Sequence, residues 1–447
     1  MHPSNRVQTA PLQLHDLARR YSQIRGQSEA LAAPLSAEDC QLQSMPDASP
    51  TKWHLAHLTW FFETFILEKY ERSFKPFDAS FRVLFNSYYT GIGDRYPRPK
   101  RGLISRPSLD QIYKYRQQID DRVLRLLHSP AGRADDGLAK LIELGLQHEQ
   151  QHQELILTDI KHALSFNPLA PAYGKRWPLT RTRPEPQRWH VYAGGMVEHG
   201  FDAAVDGQFS FDNETPRHPV FIAPFELANR LVTNGDLMAF MADGGYQRPE
   251  FWLSMGWDWV QCAQRELPFY WERSDQNADA GVAYRNFTLQ GMVEIDPNTP
   301  ACHLNFFEAD ALARWAGARL PTEFEWELAA RALPATGELS GNFVEHAAYH
   351  PLPLSGSGED APAQMLGDVW SGRNQTTTPT RATSHGKAWS ANTTASSCAT
   401  NSCCGAGHAP HRAATCGPAT AISFPQMRSG SSAVSGWRAM HDCKRKL

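Results

Sequence analysis

Three histidines, His57, His148 and His152, carry the residue types and spacings in this chain that most directly imply chemistry. His148 and His152 sit in the run His148-Glu149-Gln150-Gln151-His152-Gln153-Glu154. On a helix, residues four apart lie one above the other, so this pair presents two imidazoles to one point. His57 closes the apolar stretch Trp53-His54-Leu55-Ala56-His57, which runs on to Trp60-Phe61-Phe62. A histidine pair four apart also arises on solvated helix faces, where it binds nothing. Here Leu146, Leu155 and Ile156 surround the pair, and an aromatic run surrounds the third histidine. Buried imidazoles need partners, and a metal ion serves all three at once. A three-histidine centre keeps open positions for substrate or water, and on spacing alone iron and zinc both remain candidates.

The elements that must position these residues read as helices over about 11–30, 50–72, 108–129 and 136–166. Ser49-Pro50 reads as an N-cap and first-turn pair opening the second. Four amphipathic helices around an internal metal site describe a four-helix bundle. The connection from Lys75 to Pro107 is long for a compact domain and carries aromatic residues and arginines, among them Arg98 and Arg101. Loops of that length are usually functional or disordered, and the aromatic content argues against disorder. Its guanidinium groups suit a carboxylate-bearing ligand, although a solvated basic loop would read the same way.

From Pro168 to Pro186 the chain is Pro- and Arg-rich, the texture of a linker, and beyond Trp189 it turns to short β-like runs with Gly and Pro turns. One clear helix is expected there, Phe306 to Ala316, and Thr322 with Glu325 forms a capping box opening a second, short one. At 447 residues, two domains are the starting expectation. A formal net charge of −3 offers no broad attraction to nucleic acid or to an anionic membrane. No apolar run approaches the about 20 residues of a membrane helix, and the first residues lack a basic-then-apolar signal pattern. Up to Trp370 the only cysteines are Cys40, Cys262 and Cys302, a scattered set that suits a reduced compartment. A soluble, cytoplasmic protein is expected.

These motifs together carry a family resemblance. The W-H-x-x-H and H-E-Q-Q-H-x-E segments resemble DinB-like metal bundles. The F-D-N-E-x-P-x-H, V-T-N and R-L-P-T-E-x-E-W-E segments resemble the formylglycine-generating (sulfatase-modifying) fold, a C-type-lectin-like unit with little regular structure. Joined in this order over about residues 10 to 370, they resemble the sulfoxide synthases of ergothioneine biosynthesis, the hercynine oxygenases. The resemblance implies an α+β multidomain chain: a DinB-like bundle over 10–170, a linker over 171–188, and an incomplete formylglycine-generating-enzyme-like domain over 189–370. It implies Fe(II) held by His57, His148 and His152, with Gln151 approaching the histidine-derived substrate. Arg98 and Arg101 match the paired arginines that hold carboxylates of the thiol. The implied reaction uses O2 to join cysteine or γ-glutamylcysteine to the imidazole of trimethylhistidine, oxidising the sulfur to a sulfoxide.

At Trp370 the resemblance stops. Where the family continues E-W-T, this chain continues Ser371-Gly372-Arg373, and its last 77 residues hold one Leu, no Glu, no Tyr and five of the eight Cys. Such a composition cannot bury much apolar surface and reads as low-complexity. Cys398, Cys403, Cys404 and Cys416 match no paired C-x-x-C spacing, which argues against a metal site there. A frame error accounts for the change. Thr420 to Arg428 can be encoded ACC GCA ATT TCT TTC CCC CAG ATG CGC, which from the third base reads R-N-F-F-P-P-D-A. Ala391 to His408 in the same frame permits E-Y-N-G-K-F-M-C-N-Q-L-V-L-R-G-G-S. Both strings resemble the family's missing segments, in order, and TGG GAG TGG less one G gives Trp370-Ser371-Gly372. Residues 371–447 are therefore expected to be an out-of-frame tail. The family's proton-donating tyrosine would lie in the displaced segment, so no catalytic side chain is assigned. The bundle is expected to fold and hold metal while the second domain is destabilised and catalysis weak or absent.

Two other functions compete on sequence alone. One is a DinB-like thiol transferase or hydrolase using Zn or Ni at the same histidines, which the second domain disfavours. The other is a lectin-like binding module carrying a structural metal bundle, disfavoured by Arg98, Arg101 and Gln151.

Overall fold

The computed structural model describes residues 14–133, 135–174, 182, 185–202, 209–274, 283–331, 341–355 and 361–371. The readings made above for the tail beyond Ser371 lie outside the described residues. Two compact units part between Phe166 and Asn167.

The first unit is helical. Helix α1 spans Leu14–Ala32 and buries Leu17, Tyr21, Arg25, Ser28 and Leu31, a three-to-four-residue stripe. Helix α2, Thr51–Phe62, is buried at every position and so forms the centre of the bundle. It continues without a break through one wide π-turn, Glu63–Leu67, and ends at Tyr70. The Ser49-Pro50 expectation is corrected in one respect. Ser49 makes no side-chain cap, because its hydroxyl accepts from Arg101 Nη1 at 2.9 Å and its N–H donates to Asp159 Oδ2 at 2.8 Å. Helix α3, Leu109–His128, opens on a reciprocal capping box between Ser108 and Gln111. Helix α4, Asp136–Ser165, is capped by the Asp135 carboxylate, which accepts from Leu138 N at 2.9 Å. Helix α2 packs on α3 and α4, and α1 on α4. Gly145 permits the close approach of α2 and α4, since a Cβ there would lie 2.6 Å from Phe62 Cε1.

A buried polar network crosses this bundle. Glu149, fully buried, accepts from Arg25 Nη1 at 2.8 Å, Ser28 Oγ at 2.7 Å and Arg116 Nη2 at 3.1 Å. Arg25 also donates to Asp120 at 2.7 Å, and Tyr21 hydroxyl to the same carboxylate at 2.6 Å. Burial pulls the Glu149 carboxyl upward, but Arg25 and Arg116 outweigh it and hold the group below its usual range.

The second unit is α+β with short elements. Strands β1 (Trp189–Tyr192) and β4 (Phe225–Ala228) form one antiparallel pair, β2 (Gly195–His199) and β3 (His218–Ile222) another. Strands β5 (Trp271–Ser274), β6 (Ala283–Thr288) and β7 (Gly291–Glu294) form an antiparallel meander. Helix α7, Phe306–Trp315, and α8, Glu323–Ala330, stand where the sequence places them, α8 behind the Thr322–Glu325 capping box. Two further helices, α5 (Asn234–Ala242) and α6 (Ser254–Ala263), correct the expectation of a single clear helix before Thr322. Helix α5 starts at a Thr233–Asp236 box, in which Asp does the work of the usual Glu or Gln. Helix α6 has no side-chain cap at all, so nothing in its residues announces its start. Leu237, Phe240, Trp252, Val260, Ala311 and Leu312 form the main core of this unit, and Trp326, Ala329, Ala330 and Met365 a smaller one. Described residues of the Pro- and Arg-rich segment are tied to this unit, Glu185 O accepting from Arg230 Nε at 2.8 Å.

Candidate metal centre

Helix α2 supplies His57 and α4 supplies His148 and His152, and one ring nitrogen from each lies within 4.8 Å of the others. Among the described residues this is the one group of three or more His, Cys, Asp or Glu side chains close enough to share an ion. The α4 pair converges through its four-residue spacing, and α2 reaches it because Gly145 lets the helices approach.

Each imidazole is prepared as a neutral ligand. His57 donates from Nδ1 to the Phe85 carbonyl at 2.7 Å, which leaves Nε2 with its lone pair. Burial, reinforced by His148, holds the His57 ring well below its usual pKa. Burial lowers His148 to about 4. Burial and then His148 and His57 hold His152 well down. Metal binding requires deprotonated nitrogens, and these three are uncharged at neutral pH. The Nδ1 of His148 is buried with no hydrogen-bond partner. A buried polar atom without a partner is costly, and in the tautomer that leaves it a lone pair a cation would satisfy it. The residues therefore fit a metal ion.

Around the histidines lies a wall of rings. Trp53 stacks on His57 at 4.7 Å and 12°, and Trp60 stacks on the other side at 5.5 Å and 17°. The guanidinium of Arg101 lies 3.4 Å from the Trp53 ring centroid, so one indole separates it from His57. Arg101 is buried, and its fork donates to the Ser49 and Ser87 hydroxyls at 2.9 and 3.1 Å. Burial, with Arg98 adding repulsion, lowers Arg101 to about 9. Arg98 donates to the Tyr88 hydroxyl at 2.8 Å and to the Asp47 carbonyl. Neither arginine forms an ion pair with a described carboxylate, and the Nε of each is buried without a partner. Guanidinium groups are suited by charge and geometry to carboxylates and other anions. Gln151 is half-buried on α4, directly before His152. Tyr89, with its ring centroid 6.4 Å from His57 and 5.4 Å from Trp60, also faces the histidines, and burial raises its phenol well above the usual range.

Sequence reasoning missed two residues here. His54 Nδ1 lies 2.8 Å from His152 Nδ1, and His54 Nε2 lies 3.0 Å from Asp159 Oδ2. Two signals were present: His54 precedes His57 by one turn of α2, and Asp159 follows His152 by two turns of α4. Glu149, inside the H-E-Q-Q-H motif, points away from the centre into the Arg25–Arg116 network.

Comparison with known proteins agrees with both halves of the chain. Residues 20–156 match the family model of the DinB superfamily, and residues 178–352 that of the sulfatase-modifying factor enzyme 1-like domain. The hercynine oxygenase of Mycolicibacterium thermoresistibile is 30% identical over 378 residues, covering 79% of this chain and 78% of the relative. That of Mycobacterium tuberculosis is 31% identical over 395 residues, 83% of this chain and 85% of the relative. A formylglycine-generating enzyme of Streptomyces coelicolor is 33% identical over 172 residues, 34% of this chain and half of its own length.

Proposed function

This chain belongs to the hercynine oxygenase family, and on that premise we propose that its histidine centre serves an Fe(II)- and O2-dependent sulfoxide synthase of ergothioneine biosynthesis. The observation that carries the reading is the convergence of His57, His148 and His152, with Arg98 and Arg101, whose buried Nε atoms have no described hydrogen-bond partner, in the same unit. His57, His148 and His152 would hold the iron, which when bound supplies O2 activation and the oxidising power for C–S bond formation. Three protein ligands would leave room at the metal for substrates. Arg98 and Arg101 bind the carboxylates of the thiol, cysteine or γ-glutamylcysteine, and fix it beside the metal. Gln151 orients the trimethylhistidine. Trp53, Trp60 and Tyr89 keep water from the reacting atoms and line the aromatic side of the centre. Among the described residues no helix is long and apolar enough to cross a membrane, and we place the enzyme in the cytoplasm.

The test is incubation of the iron-loaded chain, with one G restored after the Trp370 codon, with trimethylhistidine, each thiol in turn, and O2, with the sulfoxide product read by mass. A DinB-like zinc or nickel transferase would instead turn over thiol without O2, and that result would replace the reading. Replacing Arg101 with lysine keeps the charge but removes the fork. Charged hydrogen bonds are worth about 1.5–3 kcal/mol each, so R101K is expected to raise KM for the thiol about tenfold or more, with kcat changed less. An unchanged thiol KM would remove Arg101 from the binding site.

A further inference from the structure

We propose that His54 and Asp159 form a positioning relay that turns His152 toward the metal. The inference rests on the reading of His57, His148 and His152 as ligands. His152 and His54 meet through their Nδ1 atoms at 2.8 Å, and one of the two must carry the shared proton. At the other edge of His54, Nε2 lies 3.0 Å from Asp159 Oδ2. A carboxylate oxygen only accepts, so it takes the proton of Nε2, and in the neutral imidazole that leaves Nδ1 of His54 as the acceptor. That acceptor claims the proton of His152 Nδ1. The lone pair of His152 is thereby assigned to Nε2, the ring nitrogen not engaged with His54. The same oxygen of Asp159 also accepts from Ser49 N at 2.8 Å, which fixes the carboxylate against α2. Ser49 in turn accepts from Arg101 through its hydroxyl at 2.9 Å. His54 is itself buried, and the Asp159 side chain is 12% exposed, so water competes little for these bonds.

Hydrogen-bonded partners of metal-bound histidines typically contribute about 10–100-fold in metal affinity. The relay differs from the Phe85 carbonyl behind His57 in using a second imidazole as the intermediate acceptor. It also places one carboxylate behind both a ligand and the serine that holds Arg101.

The experiment is anaerobic titration of the full chain with Co(II), following its visible absorption, for wild type, H57A, H54L, H54Q and D159N. H57A is expected to lose the absorption, which checks the ligand reading separately. H54L is expected to bind Co(II) about 10–100-fold more weakly. H54Q keeps an acceptor and a donor on one side chain and is expected to recover most of the affinity. D159N keeps the shape but lowers the acceptor strength, and is expected to fall between. If H57A binds like wild type, the ligand reading fails and the relay with it. If H57A loses the metal while H54L and D159N bind like wild type, only the relay is overturned. If H54Q is as weak as H54L, the histidine acts by packing and the relay is likewise overturned. Should H54L fail to fold, the comparison of D159N with wild type decides.

Discussion

Replacing Glu149 with alanine is expected to cost the bundle about 3–5 kcal/mol, the usual penalty for removing one partner of a buried ionic network. Glu149 is fully buried, and Arg25, Arg116 and Ser28 all donate to it. Without it, Arg116, itself fully buried, keeps among the described residues only the partly exposed Glu29 as an ion-pair partner, at 3.3 Å. Total stabilities are commonly about 5–15 kcal/mol, so the loss is a large share of what holds the unit folded. Its carboxyl sits below the unfolded value of 4.5. The stabilisation is therefore fully present above that pH and is lost as pH falls through the lower, folded value. Urea unfolding followed by helical circular dichroism measures the effect, and an E149A midpoint equal to wild type would refute it. Replacing Arg25, Arg116 and Glu149 together with apolar residues of similar volume is expected to cost less than E149A alone. The neighbouring His148→Ala should do the reverse, removing metal at little cost in stability. One residue along α4 turns the side chain by about 100°, and that rotation separates a framework residue from a ligand.

The second large effect concerns the reading frame. Inserting one G after the Trp370 codon is expected to turn a chain with weak or absent sulfoxide synthesis into an active one. The last 77 residues as translated contain one Leu and no Tyr, too little apolar surface to complete a core. The second unit has surface that a completed fold would be expected to cover: Val191, Met196 and Phe221 on its two-stranded ladders are 76%, 67% and 69% exposed. Met196 and Phe221 face each other across the β2–β3 pair. The Met196–Phe221 pair offers an apolar face on which the restored segment can pack. The restored chain is expected to bury them, to unfold at a higher temperature in its second unit and to yield product. Equal product from the two chains would sink the frame hypothesis as an account of activity. Sequencing the gene through the Trp370 codon tests the hypothesis itself, because codons that cannot encode the hidden strings refute it.

The bundle was legible because its signals are periodic and strong. The long helices carry three-to-four-residue apolar stripes, and α3 and α4 carry side-chain caps, so their boundaries fall within a few residues of expectation. The three histidines were legible from spacing and apolar context. His54 and Asp159 were missed although their helical spacing put each on the face of a ligand, because that spacing gives no partner until packing sets α2 against α4. Ser49 was misread as a cap because Ser-Pro before an apolar run is a good local signal, and a tertiary bond to Arg101 took its hydroxyl instead. In the second unit α7 and α8 were legible, but short strands and uncapped α6 give little local periodicity, so those elements were not placed.

The most direct measurement is the metal content of the anaerobically iron-loaded, desalted chain. The account predicts about one iron per chain for wild type, as expected of a single three-histidine centre, and none above background for H57A, H148A or H152A. Iron retained by those variants, or a wild-type chain that holds none, would contradict it.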